Sequence, residues 1–199
     1  LSITFLDNLD NIQEDAWDVS ENRDGSVMAW VVPNEDKYDL YIGADGQIMG
    51  NRECSELFSG YDHLEKIDFN DCFNTEMVED MCEMFQGCER LQEIDLSDFN
   101  TKNVTDMSGM FNDCLQITKI NVSRFDTSKV KNMSSMFKDC VSLKNLDVEN
   151  FDTGNVENMS EMFKRCFALV NLNLESFDTG NVKFMQDMFK DCSELVNLD

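Results

Sequence analysis

The chain is 199 residues long and 42% hydrophobic, and it carries 40 acidic against 16 basic residues, a formal net charge of -24 at pH 7. A surface that electronegative excludes nucleic acid and anionic membranes as natural partners. No apolar run approaches the roughly 18 residues of a membrane helix, so no membrane insertion by this segment is expected, and no stretch has the layout of a signal peptide.

Residues 1–50 read as an amino-terminal β cap. The runs VMAWVV (27–32) and YDLYIG (38–43) are rich in aromatic and β-branched residues and are separated by the turn-forming PNEDK, which predicts a β-hairpin. Such a hairpin would close one end of a repeat array. Two acidic loops, DVSENRDGS (18–26) and GADGQ (43–47), space oxygen atoms at the intervals calcium favours, but neither has the bidentate glutamate that closes a twelve-residue calcium loop. No cofactor is expected.

From residue 51 to 199 the chain repeats. Cys88, Cys114, Cys140, Cys166 and Cys192 stand 26 residues apart, and Phe85, Phe111, Phe137, Phe163 and Phe189 keep the same spacing. A degenerate first coil spans 51–72: Phe58, Leu64, Ile67 and Phe69 fall 27 residues before Phe85, Leu91, Ile94 and Leu96, with one extra residue near Asn70 to Cys72. Regular coils then fill 73–199, starting near 73, 99, 125, 151 and 177, the last one incomplete. The start at Leu1, without Met, suggests a processed piece whose export signal or anchor would lie elsewhere.

Within a coil, Val130, Met133, Met136, Phe137 and Cys140 recur at three- and four-residue steps, which predicts a helix capped by Asp126 or Thr127. Leu146 and Val148 then alternate as a short strand. The expected architecture is an α/β repeat solenoid of the leucine-rich-repeat kind, with strand-plus-helix units in parallel register.

Helices on the back of such an array would stand about 10 Å apart, too far for disulfides between successive cysteines. The cysteines at 88, 114, 140, 166 and 192 are therefore expected to form a ladder of buried free thiols, while a local bridge among Cys54, Cys72 and Cys82 stays open. A zinc site is not expected, because no C-x-x-C pair occurs and His63 is the only histidine. A single imidazole also leaves Ser-His-Asp and Cys-His chemistry without support, and neither of the glycine-rich nucleotide-binding motifs is present. No catalytic residue is predicted.

The outward strand positions are Asp68, Asp95, Asn121, Asp147, Asn173 and Asp199. Glu93, Lys119, Asn145 and Asn171 run beside them. A column of acids about 4.8 Å apart repels itself, and from Asp95 onward alternating Asp with Asn halves that charge. Two readings stay open: a solubility-adapted ladder, or a polar acidic face that contacts a partner through Asp68, Glu93, Asp95, Lys119, Asn121, Asn145, Asp147, Asn171 and Asn173.

Units such as FDTSKVKNMSSMFKDCVSLKNLDVEN, headed by WDVS, DGSVMAW and YDLYIG, resemble the BspA-like, mycoplasma-lipoprotein-associated leucine-rich-repeat proteins of bacterial surfaces. The segment CFNTEMVED (72–80) departs from that motif. The resemblance implies a secreted or surface-attached protein linked to adhesion, and it carries no catalytic residue. The expected function is non-enzymatic binding of a protein or glycan at the cell surface. The alternative is a structural spacer or a self-assembling filament subunit with end-to-end contacts.

Overall fold

A computed structural model describes residues 1–198, and Asp199 of the outward column lies outside the described residues. Eleven strands and no helix occur among the described residues, so the expected α/β strand-plus-helix solenoid of the leucine-rich-repeat kind is overturned in favour of an all-β chain.

The amino-terminal sheet is mixed, in the order β2-β3-β4-β1-β6, from β1 (Ser2–Leu6), β2 (Trp17–Asp18), β3 (Val27–Asn34), β4 (Lys37–Ala44) and β6 (Lys66–Asp68). The β3–β4 hairpin pairs Asn34 with Lys37, which leaves Glu35 and Asp36 as a two-residue turn, and Glu35 has the positive φ that the strand twist favours there. β1 lies parallel between β4 and β6 and buries Ile3 and Phe5. The same sheet thus includes a strand of the first coil, β6.

Beyond it, successive coils stack in parallel through short ladders. β5 (Ile48–Met49) pairs with β7 (Phe73–Asn74), β8 (Glu93–Asp95) with β9 (Lys119–Asn121), and β10 (Asn171–Leu172) with β11 (Asn197–Leu198). Single bridges extend another column through Glu53, Asp80, Asp106, Asn132, Asn158 and Phe184. The apolar positions of each coil meet their equivalents in the next: Phe58, Phe85, Phe111, Phe137, Phe163 and Phe189 form one stack with ring centroids 5.5–5.6 Å apart and planes within 10° of parallel.

The segment expected to be helical is a ribbon whose N–H groups leave the coil. The N–H groups of Met107, Gly109, Phe111 and Asp113 donate to the carbonyls of Asn132, Ser134, Met136 and Lys138 in the following coil, at 2.8–3.0 Å. The intervening peptides close four-residue turns, such as Met110 N–H to Met107 O and Asn112 N–H to Gly109 O. A helix would use the same donors on the carbonyl four residues back. The path requires two left-handed residues per coil: Glu83, Gly109, Ser135, Glu161 and Asp187 in one column (φ 54–60°), and Gly87, Asp113, Asp139, Arg165 and Asp191 in the other (φ 59–70°). For a residue other than glycine that conformation costs roughly 1–2 kcal/mol, and the inter-coil bonds hold it in place.

Corners between these segments are built by side chains. In four successive sets, from Asp68 to Asn158, three Asp or Asn positions accept the N–H of the residue two further on, and the last coil keeps two of them, Asn173 and Asp178. The coil at 95–108 shows all three, Asp95 to Ser97, Asn100 to Lys102 and Asp106 to Ser108. Asp126, one of the two expected helix caps, closes such a turn onto Ser128, while Thr127 donates its hydroxyl to Asp152 O in the next coil.

Candidate functional site

The predicted sheet-face residues gather into two shallow depressions. Asp68, Glu93, Asp95, Lys119 and Asn121 line one of about 310 Å³, and Asn145, Asp147, Asn171 and Asn173 line the other, of about 400 Å³. All nine are exposed or partly exposed.

Turn chemistry orients the central column. Asp68, Asp95, Asn121, Asp147 and Asn173 each accept the N–H of the residue two ahead through one side-chain oxygen, at 3.0–3.2 Å. Side chains of this length are favoured there because they reach their own backbone two residues on. The remaining polar atoms link coils: Asn121 Nδ2 donates to Asp95 Oδ1 at 2.8 Å, and Asn173 Nδ2 donates to Glu149 Oε1 at 2.9 Å. An amide between two acids replaces repulsion with a charge-assisted bond. The Ser97 N–H, joined by the Asn121 amide, holds the Asp95 carboxyl below the usual aspartate value. The face is therefore preorganised, and much of its acidic character has a structural origin at the corners.

The cysteines at 88, 114, 140, 166 and 192 are free, and the first four are fully buried. Each Sγ–H donates to a phenylalanine carbonyl of the preceding coil, Phe58, Phe85, Phe111, Phe137 and Phe163 in turn, at 3.0–3.2 Å. The spacing argument made from helices does not apply, since coils joined by ladder bonds stand only about 4.8 Å apart, inside the Cα range a disulfide spans. The thiols stay unpaired because equivalent side chains point the same way and each S–H has its own carbonyl. Burial pushes the Cys88 thiol up to about 12 and raises Cys114, Cys140 and Cys166 as well. Cys54, Cys72 and Cys82 are free too.

His63 is exposed, with Nδ1 2.6 Å from Asp62 Oδ1. In the 18–26 loop, Asp18 accepts the Ser20 N–H and hydroxyl and the Gly25 N–H, so its carboxylate serves the turn. Sequence reading, which had Thr127 only as a helix cap, missed the burial of Thr75, Thr101, Thr127 and Thr153. Thr101 Oγ1 donates to Asp126 O at 3.0 Å and accepts the Asp126 N–H at 2.8 Å, clamping one coil to the next. Its signal was the threonine at the third place of FNT or FDT, constant from coil to coil.

One protein family, described as "Mycoplasma protein of unknown function, DUF285", matches residues 52–166 and, in a second overlapping match, 115–199. No curated protein and no solved structure matches the chain.

Proposed function

The chain belongs to the family described as Mycoplasma protein of unknown function, DUF285, and from that premise we propose that it is a non-enzymatic, secreted or surface-exposed bacterial repeat protein that binds a protein or glycan through its polar face. One observation carries this reading: the two depressions lie along a single face whose outward side chains are held by turn and cross-coil hydrogen bonds before any partner arrives. Preorganisation lowers the entropy cost of binding. The resemblance of the repeat to BspA-like surface proteins supports the location and the adhesive role, without their leucine-rich-repeat fold. Aromatic residues are absent from the nine positions, so the interface is polar and wet.

The test is an array of glycans and extracellular proteins probed with the native chain and with the double variant Glu93→Lys, Asn145→Lys. Both positions are exposed, and neither is a corner of its coil. The expected result is a partner whose affinity falls about tenfold or more in the variant at unchanged melting temperature. Equal binding by the two proteins rejects the face.

End-to-end self-association is the competing reading, since the coils already stack on one another through parallel bridges between equivalent residues. At the other end, β1 already occupies the edge of β6 to which a further coil's strand would add. Sedimentation at raised concentration separates the two: discrete monomers leave the face as the binding surface, and fibres favour assembly.

A further inference from the structure

The strand column of the stack is broken at two places. β6 pairs only with β1 and β8 only with β9, so no ladder joins the first coil to the second. Asn145 bridges only to Asn171, so none joins β9 to the coil after it. Among the described residues no backbone hydrogen bond links 66–68 to 93–95, or 119–121 to 145–147. The two depressions of the polar face lie at these breaks: Ile67, Ile94, Glu93 and Asp95 line the first, and Ile120, Leu146 and Asn145 line the second.

Peptide groups are left facing the breaks. Thr118 N–H donates to Gln92 O and Leu96 N–H to Asn121 O, so by strand alternation Glu93 and Asp95 turn their N–H and C=O toward β6, and Ile120 turns its own toward 145–147. Val170 N–H donates to Lys144 O, which turns Asn145 back toward Ile120. An inserted strand does not fit between such rows, because it would hold its neighbours about 9.6 Å apart, twice the ladder spacing. The coils stay close at both breaks. Phe58 and Phe85 stack at 5.5 Å and Phe111 and Phe137 at 5.6 Å, the bridges Glu53 to Asp80 and Asp106 to Asn132 are intact, and Cα atoms of β6 and β8 approach within 8 Å. A hydroxyl does fit: one oxygen accepts from an N–H on one side and donates to a C=O on the other, and two such bonds reach about 5.6 Å.

We propose that the two breaks are subsites for a linear, neutral oligosaccharide lying along the stack axis, its hydroxyls bridging the facing peptide rows and its ring C–H groups resting on the aliphatic floors. The inference rests on reading this face as the binding surface, and it names the ligand class. The breaks are two coils apart, about 10 Å, so one chain of several sugars reaches both. Asp68, Glu93, Asp95 and Asp98 border the first break and Asp147 and Glu149 the second, so a carboxylated or sulphated sugar is repelled.

The test is amide NMR of the intact chain. Without ligand, the amides of Glu93, Asp95 and Asn145, corrected for intrinsic rate, should exchange at least about tenfold faster than those of Leu96, Thr118 and Val170, which have carbonyl partners. Equal protection would show a closed ladder and overturn the subsites. The chain is then titrated with cellohexaose, maltohexaose and chitohexaose, with hexagalacturonate, and with a peptide of alternating Lys and Ser. At least one neutral hexasaccharide should shift Glu93, Asp95, Ile120 and Asn145 together, leave Met107 and Phe111 of the ribbon unmoved, and bind about tenfold or more tighter than its own monosaccharide. No binding by any of the three, shifts that miss those four amides, or equal binding of hexagalacturonate overturns the proposal. Binding of the peptide alone also overturns it, and leaves the face as a protein-binding surface.

Discussion

The cap and the coil stack are both β structure, yet they use hydrogen bonds in opposite ways. In the cap, β3 and β4 pair eight residues against eight across a two-residue turn, so register is set locally. In the stack, ladders of two or three residues and single bridges are separated by corners, and each cross-coil bond spans about one coil of sequence, to the coil ahead or the one before. The cap could be specified by a hairpin, whereas a lone coil has no partner for its outward N–H groups. The stack therefore depends on neighbours, as repeat arrays do.

The largest expected break in that dependence is Phe137→Ala. The ring is fully buried with parallel neighbours 5.6 Å away on both sides, so its loss should cost roughly 3–5 kcal/mol. Both tryptophans, Trp17 and Trp30, lie in the cap. In a denaturant titration, circular dichroism should report early loss of the central coils while tryptophan fluorescence lags. A loss under about 1 kcal/mol rejects the stack as described.

Next comes Thr101→Val, which leaves the Asp126 N–H and carbonyl without their buried hydroxyl partner. It should cost about 1–3 kcal/mol by the same titration. A neutral result would mean that the clamp is replaceable by water.

Gly109→Ala separates ribbon from helix by sign. In a helix interior the change stabilises by roughly 0.5–1 kcal/mol. Here φ is +60° and the added Cβ meets Glu83 Cγ at 3.0 Å, so a loss of about 1 kcal/mol or more is expected. A raised melting temperature would restore the helix.

The smallest effect concerns Glu161, which Lys138 and Lys164 hold at 2.8 and 2.7 Å and whose carboxyl they lower to about 2. A carboxyl depressed on folding contributes stability present above its unfolded value, about 4.3, and lost as pH falls toward 2. The pair is partly exposed, so the contribution is under about 1 kcal/mol. Glu161→Gln should flatten stability against pH in that window, and an unchanged slope shows that the ion pairs contribute nothing.

Legibility differed by element. The hairpin was readable because strand residues and turn residues lie together in the chain. The cysteine and phenylalanine columns were readable because equivalent residues recur at a constant interval, and their burial follows from apolarity. The ribbon was not readable: Met133, Met136, Phe137 and Cys140 all turn inward, a spacing that suits one helix face and equally suits a path with a left-handed residue at Ser135 and Asp139. The Asp and Asn columns looked like a charged surface, and their corner-forming role emerges only when the acceptors are traced to N–H groups two residues on.

By itself the amino-acid sequence determined the 26-residue interval, the extra residue in the first coil, the hairpin, and which side chains stack on which, because these depend only on spacing and polarity. The backbone path between the inward positions was decided by tertiary structure. A donor such as Phe111 N–H can bond four residues back or to Met136 in the next coil, and both choices bury the same side chains. The neighbouring coil, which offers a full row of carbonyls at bonding distance, stabilises the ribbon enough to offset its left-handed residues.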